Sequence, residues 1–87
     1  MGSKTVMAIL IDHRKETAET VQKILTGWGC LIKTRLGLHE GVLDNCTETG
    51  LIILELVGEK DKHEELCRKL NLVNGVNAKY ISLDLGK

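Results

Sequence analysis

His39 and Cys46 bracket a polar stretch, and imidazole with thiolate is a ligand pair suited to nickel, copper or zinc. His13 could join them from a neighbouring subunit. Structural zinc takes four protein ligands and catalytic zinc three, so one chain does not complete such a site. The plainer account is a surface loop with an incidental His and Cys, and no metal or other cofactor is expected. A second group is His63-Glu64-Glu65-Leu66-Cys67, which looks like the H-E-x-x-H helix of zinc proteases with Cys67 in the second histidine's place. Leu66 and Leu70 share that helix face, so Cys67 reads better as a small core residue and Glu64 as part of a helix start. The third group lies around Arg35, Gly37 and His39. Arg35 offers a planar fork for a carboxylate or phosphate, and Gly37 lets a ligand approach the backbone. An arginine on an edge strand also discourages sheet-to-sheet pairing, which is the commoner use. Asp12 and Arg14 form a fourth group at a turn. They belong to the same ligand-binding hypothesis, although Asp12 is more simply a helix cap and Arg14 a solvated helix residue.

Several classes of function are disfavoured. There is no G-x-S-x-G, no phosphate-binding loop and no paired carboxylates in an evident cleft, so the chain is not expected to be an enzyme. Twelve basic residues balance twelve acidic ones, which leaves no built-in field for nucleic acid. Trp28 and Tyr80 are the only aromatic residues, too few for a base-stacking platform. Cys30, Cys46 and Cys67 are odd in number with no C-x-x-C spacing, which favours free thiols in a reducing compartment. The start, Met1 to Val6, lacks the apolar core of a signal peptide, and no apolar run reaches transmembrane length. A cytoplasmic location without membrane contact is expected.

The elements that position these groups follow from apolar spacing. Lys4 to Asp12 is apolar on both faces, Val6, Ala8 and Leu10 on one and Met7, Ile9 and Ile11 on the other, as in a central strand. Asp12 then caps a helix whose stripe is Ala18, Val21, Leu25 and Trp28 with Ile24 beside it, and Gly27 and Gly29 stop it. Cys30 to Leu38 alternates like an edge strand, with Ile32, Thr34, Leu36 and Leu38 on one face. His39 to Thr49 is the longest irregular stretch. Leu51 to Val57 is a second central strand, apolar on both faces except at Glu55. Asp61 and Glu64 make a variant capping box for a helix with His63, Leu66, Cys67 and Leu70 on one side. Asn74-Gly75 ends it, and Val76 to Leu85 is a last, less buried strand.

With no proline and no linker-like stretch, residues 1–87 read as one domain. The order of elements predicts an α+β fold, the ferredoxin-like βαββαβ. Right-handed crossovers place both helices on one face of a four-stranded antiparallel sheet of order 4-1-3-2. Two helices cover one face only, yet the central strands are apolar on both. A bare apolar face costs about 25 cal/mol per Å², so a homodimer or tetramer packed through the open face is expected.

Three stretches also carry a family resemblance. They are the apolar first strand running into Asp12-His13-Arg14, then Thr34-Arg35-Leu36-Gly37 with its Arg-x-Gly, and Leu72-Val73-Asn74-Gly75-Val76-Asn77-Ala78-Lys79 at the entry to the fourth strand. In order and spacing, from Val6 to about Leu83, the chain resembles the small proteins known as iron-only hydrogenase system regulators. The resemblance implies an ACT-like domain, related in fold to the C-terminal domain of the nickel-responsive repressor. It also implies a dimer or tetramer with a regulatory role. ACT-like domains tend to bind ligands at subunit interfaces near strand ends and loops, which points to Arg35, Gly37, His39, Asp12 and Arg14. Two departures stand out. Amino-acid-binding ACT domains usually have glycine where this chain has Asp12-His13-Arg14, and the repressor's several histidines and cysteine are matched only by His39 and Cys46. The expected function is therefore a non-catalytic regulatory or sensing module that binds a small ligand or a partner protein. The alternatives are a structural interaction subunit with no ligand, or a metal-responsive sensor built on the His39–Cys46 loop.

Overall fold

Four strands and two helices run in the order β1 (Ser3–Ile11), α1 (Lys15–Gly27), β2 (Ile32–His39), β3 (Gly50–Leu56), α2 (Lys60–Asn71) and β4 (Val76–Asp84). The computed structural model describes residues 2–12, 14–39 and 50–86. Every strand pairing is antiparallel and the lateral order is β2-β3-β1-β4. This is the expected 4-1-3-2 order seen from the other edge, and the connectivity is the ferredoxin-like split βαβ.

Register decides which apolar set is covered. Met7 lies opposite Leu54 and Tyr80, and Ile9 opposite Ile52 and Ala78, so these residues share one face. That face meets Val21 and Leu25 of α1 and Leu66 and Leu70 of α2 in a single buried cluster. Both helices therefore pack on the same side. Each fully buried Leu or Ile there contributes about 1.5–3 kcal/mol relative to leaving it in water. The other face carries Val6, Ala8, Leu10, Leu36, Leu51, Ile53, Ile81 and Leu83. No element of the chain described here lies over it: Leu36 is 53% and Ile81 57% exposed. Its charged members include Lys4 and Glu55, which form an ion pair at 3.3 Å, and Lys79 beside Ala8.

Local details differ from expectation in five places. The α1 N-cap is Arg14 rather than Asp12, and it makes no side-chain cap bond. Asp12 sits two residues earlier and accepts the Arg14 N–H instead. Thr17, not Ala18, is buried in the first turn of α1, because its hydroxyl faces the Asn74 turn across the domain. The end of α1 uses no left-handed glycine. Trp28 is the C-cap at φ −107°, and the chain runs straight into a 3₁₀ turn at Gly29–Leu31, which takes Cys30 and Leu31 out of β2. A β-bulge between Ile32 and Thr34 then breaks the alternation. Ile32 faces Leu56 and the core, while Leu36 faces Ile53 on the open side. Finally, α2 begins after Glu59 with no side-chain cap, so Asp61 and Glu64 do not form a capping box. Its start is set by a turn at Gly58, whose φ of +94° and contact with Leu31 leave no room for a Cβ.

Candidate functional site

The end of β1 and the start of β4 are neighbours because the two strands pair from Ser3–Asp84 to Ile11–Val76. Asp12 continues this pairing by one bond, its N–H donating to the Gly75 carbonyl at 3.0 Å. The Asp12 carboxylate accepts the Arg14 backbone N–H at 3.1 Å through Oδ1, an Asx turn, and the Arg14 Nε at 2.9 Å through Oδ2. A second guanidinium nitrogen of Arg14 donates to the Asn74 carbonyl at 3.1 Å. Thus one arginine ties the β1–α1 turn to a turn sixty residues away. The Thr17 hydroxyl reaches the same Asn74 carbonyl at 3.5 Å, the limit of a hydrogen bond, and also acts to lower the Asp12 carboxyl.

Gly75 makes this closure possible. Its φ is +90°, and an added Cβ would run into the Asp12 carboxylate and lie 2.9 Å from the Arg14 guanidinium. Partial burial acts to raise the Asp12 carboxyl. The Arg14 backbone N–H, the Thr17 hydroxyl and the Arg14 guanidinium outweigh it and hold the group below its ordinary value. The turn is therefore an ionised carboxylate and a guanidinium held in fixed positions, with part of each exposed. Two shallow depressions flank it. One, of about 260 Å³, is lined by Leu10, Ile11, Asp12, Gly75, Val76 and Asn77. Leu10 and Asn77 belong to the open sheet face, so this depression joins the polar turn to that face. The other, of about 380 Å³, lies on the helix side between Arg14, Thr17, Thr20 and Asn74.

The five sequence-predicted ligand residues divide into two places. Asp12 and Arg14 meet. Arg35 lies opposite Leu54 and Gly37 opposite Ile52, on the outer strand and in helix-side register, without contact to the Asp12 turn. His39 lies opposite Gly50, as does Ile11, so it is at the same end of the sheet as Asp12 but two strands away, roughly 10 Å. Asn74, Gly75 and Thr17 were not anticipated as site residues. Asn74-Gly75 reads as a helix stop in the sequence, and the strand order alone places it beside the end of β1.

Of the metal hypotheses, only the His63–Cys67 group lies within the described residues. Cys46, His13 and the side chain of His39 lie outside the described residues. Among the described residues there is no cluster of three potential ligands. His63 is buried at 3% exposure and its Nε2–H donates to the Val57 carbonyl at 2.8 Å, so that nitrogen is engaged with backbone. Burial pushes the Cys67 thiol up, with help from the Glu64 charge and against a hydrogen bond from Asn71, so it remains a thiol rather than a ligating thiolate. His63 and Cys67 hold α2 onto the sheet.

No family model matches the chain, and no curated protein matches it in sequence. Solved structures do match. An uncharacterised protein of Thermotoga maritima superposes with a TM-score of 0.80 at 23% identity, covering 93% of this chain and 96% of that one. The ACT domain from GTP pyrophosphokinase of Chlorobium tepidum gives 0.67 at 17% identity, covering 92% and 97%. A nitrogen regulatory PII-like protein of Thiomonas intermedia, solved with ADP, AMP and bicarbonate, gives 0.63 at 11% identity over 98% and 94%. These likenesses are of fold, and they place the chain's architecture among ACT-like and PII-like domains.

Proposed function

We propose that this chain is a non-catalytic regulatory module, in which a small ligand held at the Asp12–Arg14–Gly75 turn biases self-association through the open sheet face. One observation carries the proposal: the depression at Asp12 and Gly75 opens onto the apolar face through Leu10 and Asn77. A ligand seated there lies at the rim of the surface a second copy would cover. Ligand and assembly are then coupled by proximity, because each changes the solvation of the same residues. The charged pair at the turn suits a ligand with an anionic group for Arg14. Arg35, Gly37 and His39, on the outer strand two strands away, are proposed as a separate contact surface rather than as contacts of that same ligand. The resemblance of Asp12 to Arg14, Arg35 to Gly37 and Gly75 to Lys79 to the iron-only hydrogenase system regulators supports a regulatory role. So does the likeness in fold to an ACT domain and to a PII-like protein that binds adenine nucleotides and bicarbonate.

The test is a thermal-shift screen of amino acids and nucleotides against the purified chain, followed by sedimentation with the best hit. A hit that raises Tm and alters the sedimenting mass is the expected outcome. Arg14→Ala should lose the shift, and Arg35→Ala, two strands away, should keep it. The proposal fails if neither ligand class moves Tm, or if the chain is a stable monomer at micromolar concentration with and without the hit.

A further inference from the structure

β4 is an edge strand, and alternate residues along it turn their backbone N–H and C=O away from β1. Ala78 is one of these, and both of its outward groups are taken by a single side chain. The Asn71 carboxamide accepts the Ala78 N–H at 2.8 Å through Oδ1 and donates to the Ala78 carbonyl at 2.9 Å through Nδ2. This is the bond pair that a residue of a fifth strand would make. The remaining hydrogen of Nδ2 goes to the Cys67 carbonyl at 3.1 Å, which fixes the amide in place on the last turn of α2. The Cys67 thiol also donates to the Ala78 carbonyl at 3.4 Å. One outward position earlier, the Val76 N–H is closed by the Val73 carbonyl at 3.2 Å.

We infer that Asn71 is an edge guard, a side-chain substitute for a neighbouring strand that prevents a second copy of this chain from pairing along β4. With both groups of Ala78 and the N–H of Val76 taken, an incoming strand finds complete outward positions only at Tyr80, Ser82 and Asp84, and the helix end bearing Asn71 stands in the path of any longer pairing. The opposite edge, β2, carries the bulge at Lys33 and the charge of Arg35, both of which discourage strand addition. Self-association is thereby steered away from the sheet edges and onto the open face. This last step rests on the function proposed above; the guard itself does not.

The test uses the full chain, Asn71→Ala and Ile53→Lys. In the wild-type protein, amide hydrogen exchange at Ala78 should be about tenfold slower than at Tyr80, the next outward position, and Asn71→Ala should abolish that gap. In sedimentation velocity, Asn71→Ala should form species larger than wild type at equal concentration, and it should do so in the Ile53→Lys background too, where the open face is charged. Equal exchange at Ala78 and Tyr80 in the wild type overturns the guard even if the alanine variant does not fold. So does a folded Asn71→Ala that sediments like its parent. If Ile53→Lys leaves the wild-type mass unchanged while Asn71→Ala still adds mass, the guard stands and the open-face reading falls.

Discussion

On the helix side of the sheet, Met7, Ile9 and Leu54 have no solvent exposure; on the other side, Leu10, Leu36, Ile81 and Leu83 are each about half exposed. The residue types are the same, and the strands that carry them are the same strands. What separates the two faces is connection. Each βαβ crossover of this fold is right-handed, so both helices arrive on one side and none on the other. The helix side is a finished core with interdigitated Leu, Ile and Met. The open side is a core-like surface lacking its second layer, interrupted by the Lys4–Glu55 pair and Lys79. A surface so composed is ordinary for an interface and costly for a free monomer.

Adjacent residues on β3 give the sharpest way to break this comparison. Leu54→Ala removes a fully buried side chain and should cost about 2–5 kcal/mol in urea or thermal unfolding. Gly75→Ala comes next. A positive φ and a Cβ forced against Asp12 and Arg14 should together cost about 1–3 kcal/mol in the same assay. Ile53→Ala, one residue from Leu54 but on the open face, should change the unfolding of the dilute chain by no more than about 1 kcal/mol while weakening self-association in sedimentation. If Ile53→Ala and Leu54→Ala were equally destabilising in a dilute sample, the two faces would not differ in the way described.

The fold was legible because three signals agreed. Two strands apolar on both faces, two 3.6-residue stripes and an Asn-Gly turn leave few topologies once crossover handedness is imposed. Cap chemistry was less legible. Asp12 has the right side chain for an N-cap, but pairing between β1 and β4 extends to Asp12 and delays the helix until Lys15. Glycine at 27 and 29 suggested a left-handed stop, yet a 3₁₀ turn ends the helix without one. The bulge at Lys33 was invisible for a similar reason, since it answers to the position of the 3₁₀ turn at Gly29–Leu31 and to Leu56 across the sheet rather than to any local pattern. At the candidate site, Asp12 and Arg14 could be named from residue type. Thr17, Asn74 and Gly75 could not: Asn74 and Gly75 reach Asp12 and Arg14 across about sixty residues of sequence, and Thr17 is turned inward by the same distant Asn74 carbonyl. The 4-1-3-2 order did hold the clue, since it sets the start of β4 beside the end of β1.

The smallest effect expected here is also the most diagnostic for that turn. The folded state holds the Asp12 carboxyl below its ordinary value, roughly 3.9 in an unfolded chain. A carboxyl with a depressed folded value binds protons more readily when unfolded, so its contribution to stability is complete above the unfolded value and disappears as pH falls through the folded one. Asp12→Asn keeps the shape and one acceptor oxygen but removes the charge that faces Arg14. The stability difference between wild type and Asp12→Asn should therefore be flat from about pH 5 to 8 and shrink steadily below about pH 4. Urea unfolding of both proteins across pH 2 to 7 measures it. Because Asp12 and Arg14 are partly exposed, added salt should reduce the plateau without moving the pH at which it begins to fall. A difference that ignores pH would mean that the Asp12 oxygens serve only as hydrogen-bond acceptors and that their charge adds nothing to the hold on Arg14. In that case the turn would offer a ligand a guanidinium without its charged partner, and an anion should bind there more tightly than the Asp12–Arg14 pairing allows.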